Sequence, residues 1–165
     1  MSHFYNSNIQ QEQFDRNLAD WCKGGPSPEG WTRLGPTLPI PKIVLVEHRL
    51  ELIRVEDVLA KNADQVKSWH INFLFSKQPE WEETKYCKEY LLPRCEEPFR
   101  RMQAFARLFA NIRVRGVLKP VFVAEVDGFP FRYFRFDGCH RASCVSALGL
   151  DKIPTRVFKT KTLYV

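Results

Sequence analysis

The sequence predicts an α+β domain, and three features of its second half lead to that prediction. Residues 99–112 place apolar side chains at three- and four-residue spacing, which predicts an amphipathic helix of about four turns. Residues 120–126 and 131–136 are rich in branched and aromatic side chains, which predicts two neighbouring strands. Residues 141–148 have the small and apolar composition of a buried helix. One fold unit with both kinds of element is therefore expected.

Short turn sequences separate these elements. Gly116 ends the first helix, and Asp127-Gly128 joins the two strands as a hairpin turn. Asp137-Gly138 ends the second strand, Gly149 closes the second helix, and a last strand is predicted over 155–158. The predicted order is helix, strand, strand, helix, strand.

The first half of the chain is less regular. Residues 1–22 have apolar positions at helical spacing and predict one short helix. Residues 24–41 contain five prolines and four glycines, which predicts an irregular connector. Residues 42–46 and 51–55 are rich in branched side chains, so we expect one or two short strands there, or a hairpin.

These patterns divide the chain into an N-terminal extension over 1–40 and one domain over 41–165. A helix-compatible stretch begins at Val55, and we interpret the part at about 60–98 as a largely helical insertion in the domain. The length of 165 residues and the mass of 19.4 kDa are those of one compact domain.

Composition and charge narrow the function classes. Apolar runs such as 43–46 are much shorter than the roughly 20 residues of a membrane-spanning helix, and no signal peptide opens the chain, so we expect a cytoplasmic protein. The five cysteines lack zinc-ligand spacing, which favours reduced thiols and no metal site built from them. A net charge of +6 and a pI near 9.2 favour an anionic partner, which could be a nucleotide, a nucleic acid or an acidic glycan.

The main chemical signal is the sequence Phe136-Asp137-Gly138-Cys139-His140-Arg141. A strand that turns at Gly138 and continues as a helix directs free backbone N–H groups and the positive helix end to one point, where an anion can bind. His140 and Arg141 add a switchable donor and a permanent planar cation suited to phosphate oxygens. The same residues could instead brace the turn, and Asp137 could cap the helix.

This motif resembles the signature of the ParB/sulfiredoxin superfamily. The resemblance covers roughly 100–158 and includes the preceding helix, glycine and strand. The matching residues beyond the motif are Leu108 to Ile112, Gly116, Val117, Pro120, Val123, Ala147-Leu148-Gly149-Leu150, Lys152-Ile153-Pro154 and Val157. The resemblance implies a small mixed sheet with packed helices, in which the glycine turn and the following His-Arg pair hold nucleotide phosphates.

Members of that superfamily phosphorylate small molecules such as free serine, reduce cysteine sulfinic acids, or act as nucleotide-gated DNA-partition proteins. The Asp137-Gly138 start resembles the kinase and ParB branches, whereas Cys139 stands where sulfiredoxins have their reactive cysteine. A buried structural role for Cys139 is the alternative. No basic helix-turn-helix pattern follows the core, so we rank nucleic-acid binding third.

We therefore expect a phosphotransferase, a kinase that uses ATP, or else ADP or CTP, with Mg²⁺ and acts on a hydroxyl of a small molecule or sugar. The candidate catalytic residues are Asp137, Cys139 and His140. The resemblance assigns contacts with the nucleotide to Gly138, His140, Arg141, Arg107 and Asn111, and Lys119 adds charge at the same end of the sheet. The upstream carboxylates Glu56, Asp57 and Asp64 are alternative candidates for the base.

The acceptor pocket is expected between this motif and the segment 56–98, because that stretch has length to spare beyond the shared core. Its aromatic and polar side chains are of the kind that line small-molecule pockets. The residues singled out are Trp69, His70, Trp81, Tyr86 and Tyr90. Packing of the same rings against the core is the alternative.

Overall fold

The computed structural model describes residues 7–24 and 42–163, which form a four-stranded mixed sheet with helices packed against it. The strands are β1 (Lys42–Arg54), β2 (Val121–Glu125), β3 (Phe134–Asp137) and β4 (Lys152–Leu163), in the order β1-β4-β2-β3. β4 is antiparallel to β1 and parallel to β2, and β3 is antiparallel to β2. The predicted α+β class with a small mixed sheet is confirmed.

The described part of the chain contains two helices of 18 residues and one of nine, with short helical pieces between the first two. The α-helices are α1 (Ser7–Gly24), α2 (Val55–Leu59), α3 (Ala63–Gln65), α4 (Asn72–Leu74), α5 (Pro98–Arg115) and α6 (Cys139–Ala147). Two 3₁₀ turns (Ala60–Asn62, Gln78–Glu83) and two π-helical turns (Val66–Ile71, Tyr86–Leu91) occupy the predicted insertion. The insertion is largely helical, as its sequence predicted.

The predicted pair of short strands at 42–46 and 51–55 is one continuous strand, β1. The hairpin alternative is wrong, because β1 pairs with β4 along nearly its whole length. The register shifts between Leu45 and His48, so a bulge accommodates the polar residues that resembled a turn in the sequence. β4 is likewise longer than the predicted 155–158, since β1 offers hydrogen-bond partners from Lys152 to Leu163.

The connection between β2 and β3 is longer than a two-residue hairpin turn. β3 begins at Phe134 instead of residue 131, although Gly128 has the positive φ of 79° expected in the turn. The rings of Phe129 and Phe131 pack against Trp21 of α1, with centroid separations of 5.3 and 6.4 Å. Phe131, which the sequence placed in a strand, is therefore held together with Phe129 by a helix that is remote in sequence.

The sheet has an apolar core on each face. One core is shared with the insertion, α5 and α6, and includes Phe73, Phe105, Val123 and Val157. The other core is covered by α1, whose Phe14 is fully buried and meets the rings of Phe134 and Phe136 edge to face at 5.7 and 5.6 Å. The described part of the N-terminal extension is thus packed on the sheet.

Polar side chains of α1 also complete the hydrogen bonding of two strands. The amide of Gln11 donates to the backbone oxygen of Ile43 at 3.0 Å and accepts from the backbone N–H of Leu45 at 2.9 Å. Asn17 donates to the backbone oxygen of Phe136 at 3.2 Å, next to the motif. α1 therefore supports both the start of β1, next to its bulge, and the end of β3.

The division into an extension and a domain stays a prediction, because its boundary and most of the predicted connector lie in residues 25–41, outside the described part. None of the described helices is long and apolar enough to cross a lipid bilayer. Cytoplasmic location stays an expectation. Among the described residues, Cys87, Cys95, Cys139 and Cys144 carry free thiols, and the reduced state stays an expectation.

Candidate functional site

The site is built on the turn that joins β3 to α6. Gly138 is the N-cap residue of α6 and adopts φ 93°, ψ 24°, a left-handed conformation that favours glycine. A Cβ at this position would lie 2.5 Å from Cγ1 of Val121, so the turn also packs too closely against β2 for any side chain. No side chain caps α6, so the backbone N–H groups of its first turn stay available to an anion.

Asp137 does not cap the helix, so this alternative for its role is wrong. Its Oδ2 accepts a hydrogen bond from Nη2 of Arg141 at 3.0 Å and lies 3.9 Å from Nζ of Lys119. The Asp137 carboxylate prefers the Arg141 fork because a bond between two charged groups is stronger than a bond to a backbone N–H. Asp137, Arg141 and Lys119 therefore meet at the same end of the sheet, as predicted.

Arg141 connects the first turn of α6 to the start of β2. Its Nη2 also donates to the backbone oxygen of Pro120 at 3.1 Å, while its Nε is buried without a hydrogen-bond partner. An unpaired buried donor on a cation is costly, and a bound anion would satisfy it. The Arg141 side chain is 17% exposed, so part of it remains accessible.

The insertion closes over His140. The Nε2 atom of His140 lies 3.0 Å from the hydroxyl of Tyr86, and its ring packs at 4.6 Å on both His70 and Phe105. Burial lowers the pKa of His140 to about 4, and the nearby guanidinium groups of Arg135, Arg101 and Arg141 act in the same direction. His140 is consequently neutral near pH 7, so the expected switchable charge is absent and only a neutral hydrogen-bond donor or acceptor remains.

His70 supports α6 from the side of the insertion. Its Nδ1 lies 2.9 Å from Oγ of Ser143 and 3.8 Å from Sγ of Cys139. Since the Ser143 hydroxyl donates to the backbone oxygen of Cys139 at 2.7 Å, the proton of the first contact belongs to His70. Burial, aided by His140 and Arg135, lowers the pKa of His70 to about 3, so the ring beside Cys139 is neutral near pH 7.

A cavity of about 220 Å³ lies between the insertion, α5 and His140. Its lining residues are Tyr86, Tyr90, Leu91, Arg94, Cys95, Arg101 and His140. Two of the five side chains expected around the acceptor, Tyr86 and Tyr90, line this space. His70 is buried behind them, Trp69 packs on Tyr90, and Trp81 packs on Phe73.

In the described part of the chain, the structure shows no hydrogen bond or ion pair between the other candidate residues and the side chains of the motif. Arg107 and Asn111 are exposed on α5, and within the described ranges neither side chain forms a hydrogen bond or an ion pair. Glu56 pairs with Arg54 on the surface. Asp57 lies on α2, which packs against α6, whereas Asp64 lines a different and larger cleft. The assignments of these residues stay predictions.

The sequence reasoning missed two cations near the site, Lys61 and Arg135. Arg135 is 4% exposed and donates to the backbone oxygen of Val58 at 3.0 Å and to Oδ1 of Asn62 at 2.7 Å. Nζ of Lys61 donates to the backbone oxygen of Arg135 at 2.8 Å. Arg135 could have been noticed because it is a charged residue within the apolar run 133–136. Lys61 could not, because it stands in an ordinary polar stretch.

The described residues form an α+β domain with a small mixed sheet, in which an uncapped helix follows a glycine turn. Residues 93–164 match the family model described as the ParB N-terminal domain. This match is consistent with the ParB/sulfiredoxin superfamily, which the motif predicted. No curated protein and no solved structure is detectably similar to the chain. Within the described ranges, no group of three or more His, Cys, Asp or Glu side chains could hold a metal ion.

Proposed function

We propose that the chain binds a nucleotide, ATP or else ADP or CTP, at the start of α6 and transfers a phosphoryl group to a hydroxyl of a small molecule or sugar. The observation that carries this proposal is the group formed by the uncapped first turn of α6, the unpartnered Nε of Arg141, and the Asp137 and Lys119 side chains. The match to the ParB N-terminal domain supports an interaction with a nucleotide or nucleic acid.

The chain's own residues would have separate tasks in this reaction. Gly138 lets the phosphates approach the backbone, while Arg141 and Lys119 supply positive charge that stabilises the phosphoryl group during transfer. The acceptor oxygen forms a bond to the terminal phosphorus as the bond to the leaving nucleotide breaks. Asp137 orients the acceptor hydroxyl and takes up its proton.

The residues present are compatible with Mg²⁺ carried by the nucleotide. In such sites the metal takes most of its ligands from phosphate oxygens and water, so one protein carboxylate is sufficient. Asp137 is the described carboxylate at this end of the sheet and would be that ligand. The metal would offset the negative charge of the phosphates.

Nucleotide binding is tested by calorimetry with ATP, ADP and CTP in the presence of Mg²⁺. Arg141→Ala should weaken binding by about tenfold or more, because it removes charge-assisted hydrogen bonds to phosphate. Arg113→Ala is the matched control, since Arg113 is an exposed arginine near the end of α5 to which no role is assigned. If the folded wild-type protein binds none of the three nucleotides, the proposal fails.

The reaction is tested by product analysis against a panel of hydroxyl compounds. Asp137→Asn should reduce turnover by about a hundredfold or more, whereas Cys139→Ser should retain most of it, because phosphoryl transfer needs a carboxylate and no thiol. Turnover that survives Asp137→Asn would remove Asp137 from the mechanism. In that case Asp57, on the helix that packs against α6, would be the next carboxylate to substitute.

One observation favours a second candidate, the reduction of a cysteine sulfinic acid. Cys139 is the first residue of α6, directly after the glycine turn, and its Sγ lies 3.8 Å from His70 Nδ1. This function is adopted if Cys139→Ser abolishes turnover, nucleotide binding persists and a sulfinylated protein is the working substrate. Nucleotide binding without any turnover, together with DNA binding that weakens as salt is raised, would instead support the ParB-like alternative.

A further inference from the structure

A second and larger cleft lies on the other side of Arg94. It has a volume of about 800 Å³ and is bounded by the C-terminal half of α1, the segment 60–65 and the loop that carries Phe131. Its lining residues are Asn17, Asp20, Trp21, Ala60, Lys61, Asn62, Ala63, Asp64, Gln65, Arg94 and Phe131. This space takes no part in the phosphoryl transfer proposed above.

A buried cation lies directly behind this cleft. Arg135 is 4% exposed, and the two oxygens that accept its hydrogen bonds, the backbone oxygen of Val58 and Oδ1 of Asn62, are both neutral. No carboxylate of the described residues lies within ion-pair distance of Arg135. A buried charge without a counter-charge is costly, and Asn62, which holds this guanidinium, is itself part of the cleft wall.

A second cation, Lys61, lies in the wall itself. Its Nζ donates to the backbone oxygen of Arg135 at 2.8 Å and lies 4.1 Å above the ring of Phe134. Burial lowers the pKa of Lys61 to about 7, with Arg135 acting in the same direction. Cys139 and Asp20, which face Lys61 from α6 and α1, act in the opposite direction and do not offset these effects.

The charges of the cleft are separated by depth. Asp20 and Asp64 are exposed at its surface, where water and salt screen their fields. Arg135 is buried and Lys61 is half-buried, so their charges act more strongly on a group inside the cleft. The interior is therefore cationic even though acidic residues are present at the rim.

We propose that this cleft binds a small anionic molecule whose phosphate or carboxylate group pairs with the Lys61 ammonium next to Arg135. The rings of Trp21 and Phe131, which pack edge to face at 6.4 Å, form an apolar side wall for the rest of that molecule. Binding supplies the counter-charge that the buried pair of cations lacks.

The proposal is tested by nuclear magnetic resonance of the lysine side chains in the full-length labelled protein. Without added anion, Lys61 should titrate near pH 7. Millimolar inorganic phosphate or malonate should raise that midpoint by about one pH unit, because a paired anion favours the charged form. The probe that acts, phosphate or dicarboxylate, identifies the anionic group.

Lys67 is the internal control, because it is an exposed lysine of the same segment. A rise that is equal for Lys67 and Lys61 would be a general ionic-strength effect and would overturn the proposal. A Lys61 midpoint that neither probe moves would overturn it as well.

Substitutions separate this cleft from the nucleotide site. Lys61→Met should weaken the binding of the effective probe by about tenfold or more, whereas Lys67→Met should leave it unchanged. Arg141→Ala should weaken nucleotide binding by about tenfold or more yet preserve the response of Lys61 to the probe. If Arg141→Ala also removes the Lys61 response, the anion binds at the start of α6 and not in this cleft.

Discussion

At the scale of single residues, burial decides what the histidines of the site can do. His140 and His70 stack at 4.6 Å with their rings 22° apart, so the charge of one would oppose the charge of the other. Burial lowers both pKa values, to about 4 for His140 and about 3 for His70. Their neutral rings instead hold Tyr86 and Ser143 through hydrogen bonds. The pair therefore positions the insertion on α6 without carrying charge.

The lowered pKa values predict that the protein becomes less stable in acid. In the unfolded chain a histidine has a pKa near 6.5, so from about pH 6.5 down to pH 4 the unfolded state binds a proton that folded His140 does not. The free energy of unfolding should fall over that interval by about 3 kcal/mol on account of His140 alone. Urea denaturation at pH 7 and pH 4 measures this loss.

The variant His140→Gln can still bond to Tyr86 and does not titrate, so its loss of stability between the two pH values should be smaller by about the same amount. Because each protein is compared with itself at the two pH values, the destabilisation caused by the substitution itself cancels. An equal loss in the variant and the wild type would show that His140 titrates normally in the folded protein.

At the scale of elements, the β3-to-α6 turn depends on glycine for two separate reasons. Gly138 has φ 93°, and a Cβ there would also lie 2.5 Å from Val121 of β2. Gly149, which follows α6, has φ 74°, but a Cβ added there would meet no atom within 4 Å. The two glycines thus share the backbone strain and differ in the close contact, which makes them a matched pair.

Gly149→Ala should lower the free energy of unfolding by about 1 kcal/mol, because alanine is strained in the left-handed conformation. Gly138→Ala should lower the free energy of unfolding by about 3 kcal/mol or more, because β2 and the first turn of α6 must also move apart. It should weaken nucleotide binding as well, since the backbone N–H groups of α6 would be displaced. Urea denaturation and calorimetry of both variants check this. Equal losses in the free energy of unfolding would show that Val121 moves aside without disturbing the turn.

At the scale of the whole molecule, α1 closes the second core of the sheet. Phe14 is fully buried and packs on Phe134 and Phe136, the two β3 phenylalanines that precede the turn at Gly138. Asn17 bonds to the backbone of Phe136 from the same helix. The N-terminal helix consequently stabilises the strand that leads into the candidate site.

Phe14→Ala should lower the free energy of unfolding by about 3 to 5 kcal/mol, the cost of a large cavity in a packed core. Glu12→Ala, an exposed position on the same helix, should change it by less than about 0.5 kcal/mol. Urea denaturation of the two variants provides the measurement. A small effect of Phe14→Ala would mean that α1 is only loosely attached and that the sheet is stable without it.

Local sequence patterns correctly predicted the helices whose ends are marked by residues next to them in the sequence. α5 has apolar side chains at helical spacing and ends at Gly116, and α6 begins after Gly138, so both helices were predicted within a few residues. β1 was divided wrongly because its continuity comes from β4, which follows about a hundred residues later in the chain. Asp137 was correctly brought near Arg141 and Lys119, because the motif and the helix spacing place them together.

By itself, the sequence determined the fold class, the resemblance to the ParB/sulfiredoxin superfamily and the position of the glycine turn, because glycine positions, apolar spacing and a contiguous motif are local properties. Only the tertiary structure decided the charge of His140 and the place of Lys61 and Arg135. Burial and neighbouring charges set these properties, and both arise where the insertion and α1 close on the sheet. The candidate nucleotide site could therefore be predicted from the motif, whereas the cationic cleft required distant segments to be brought together.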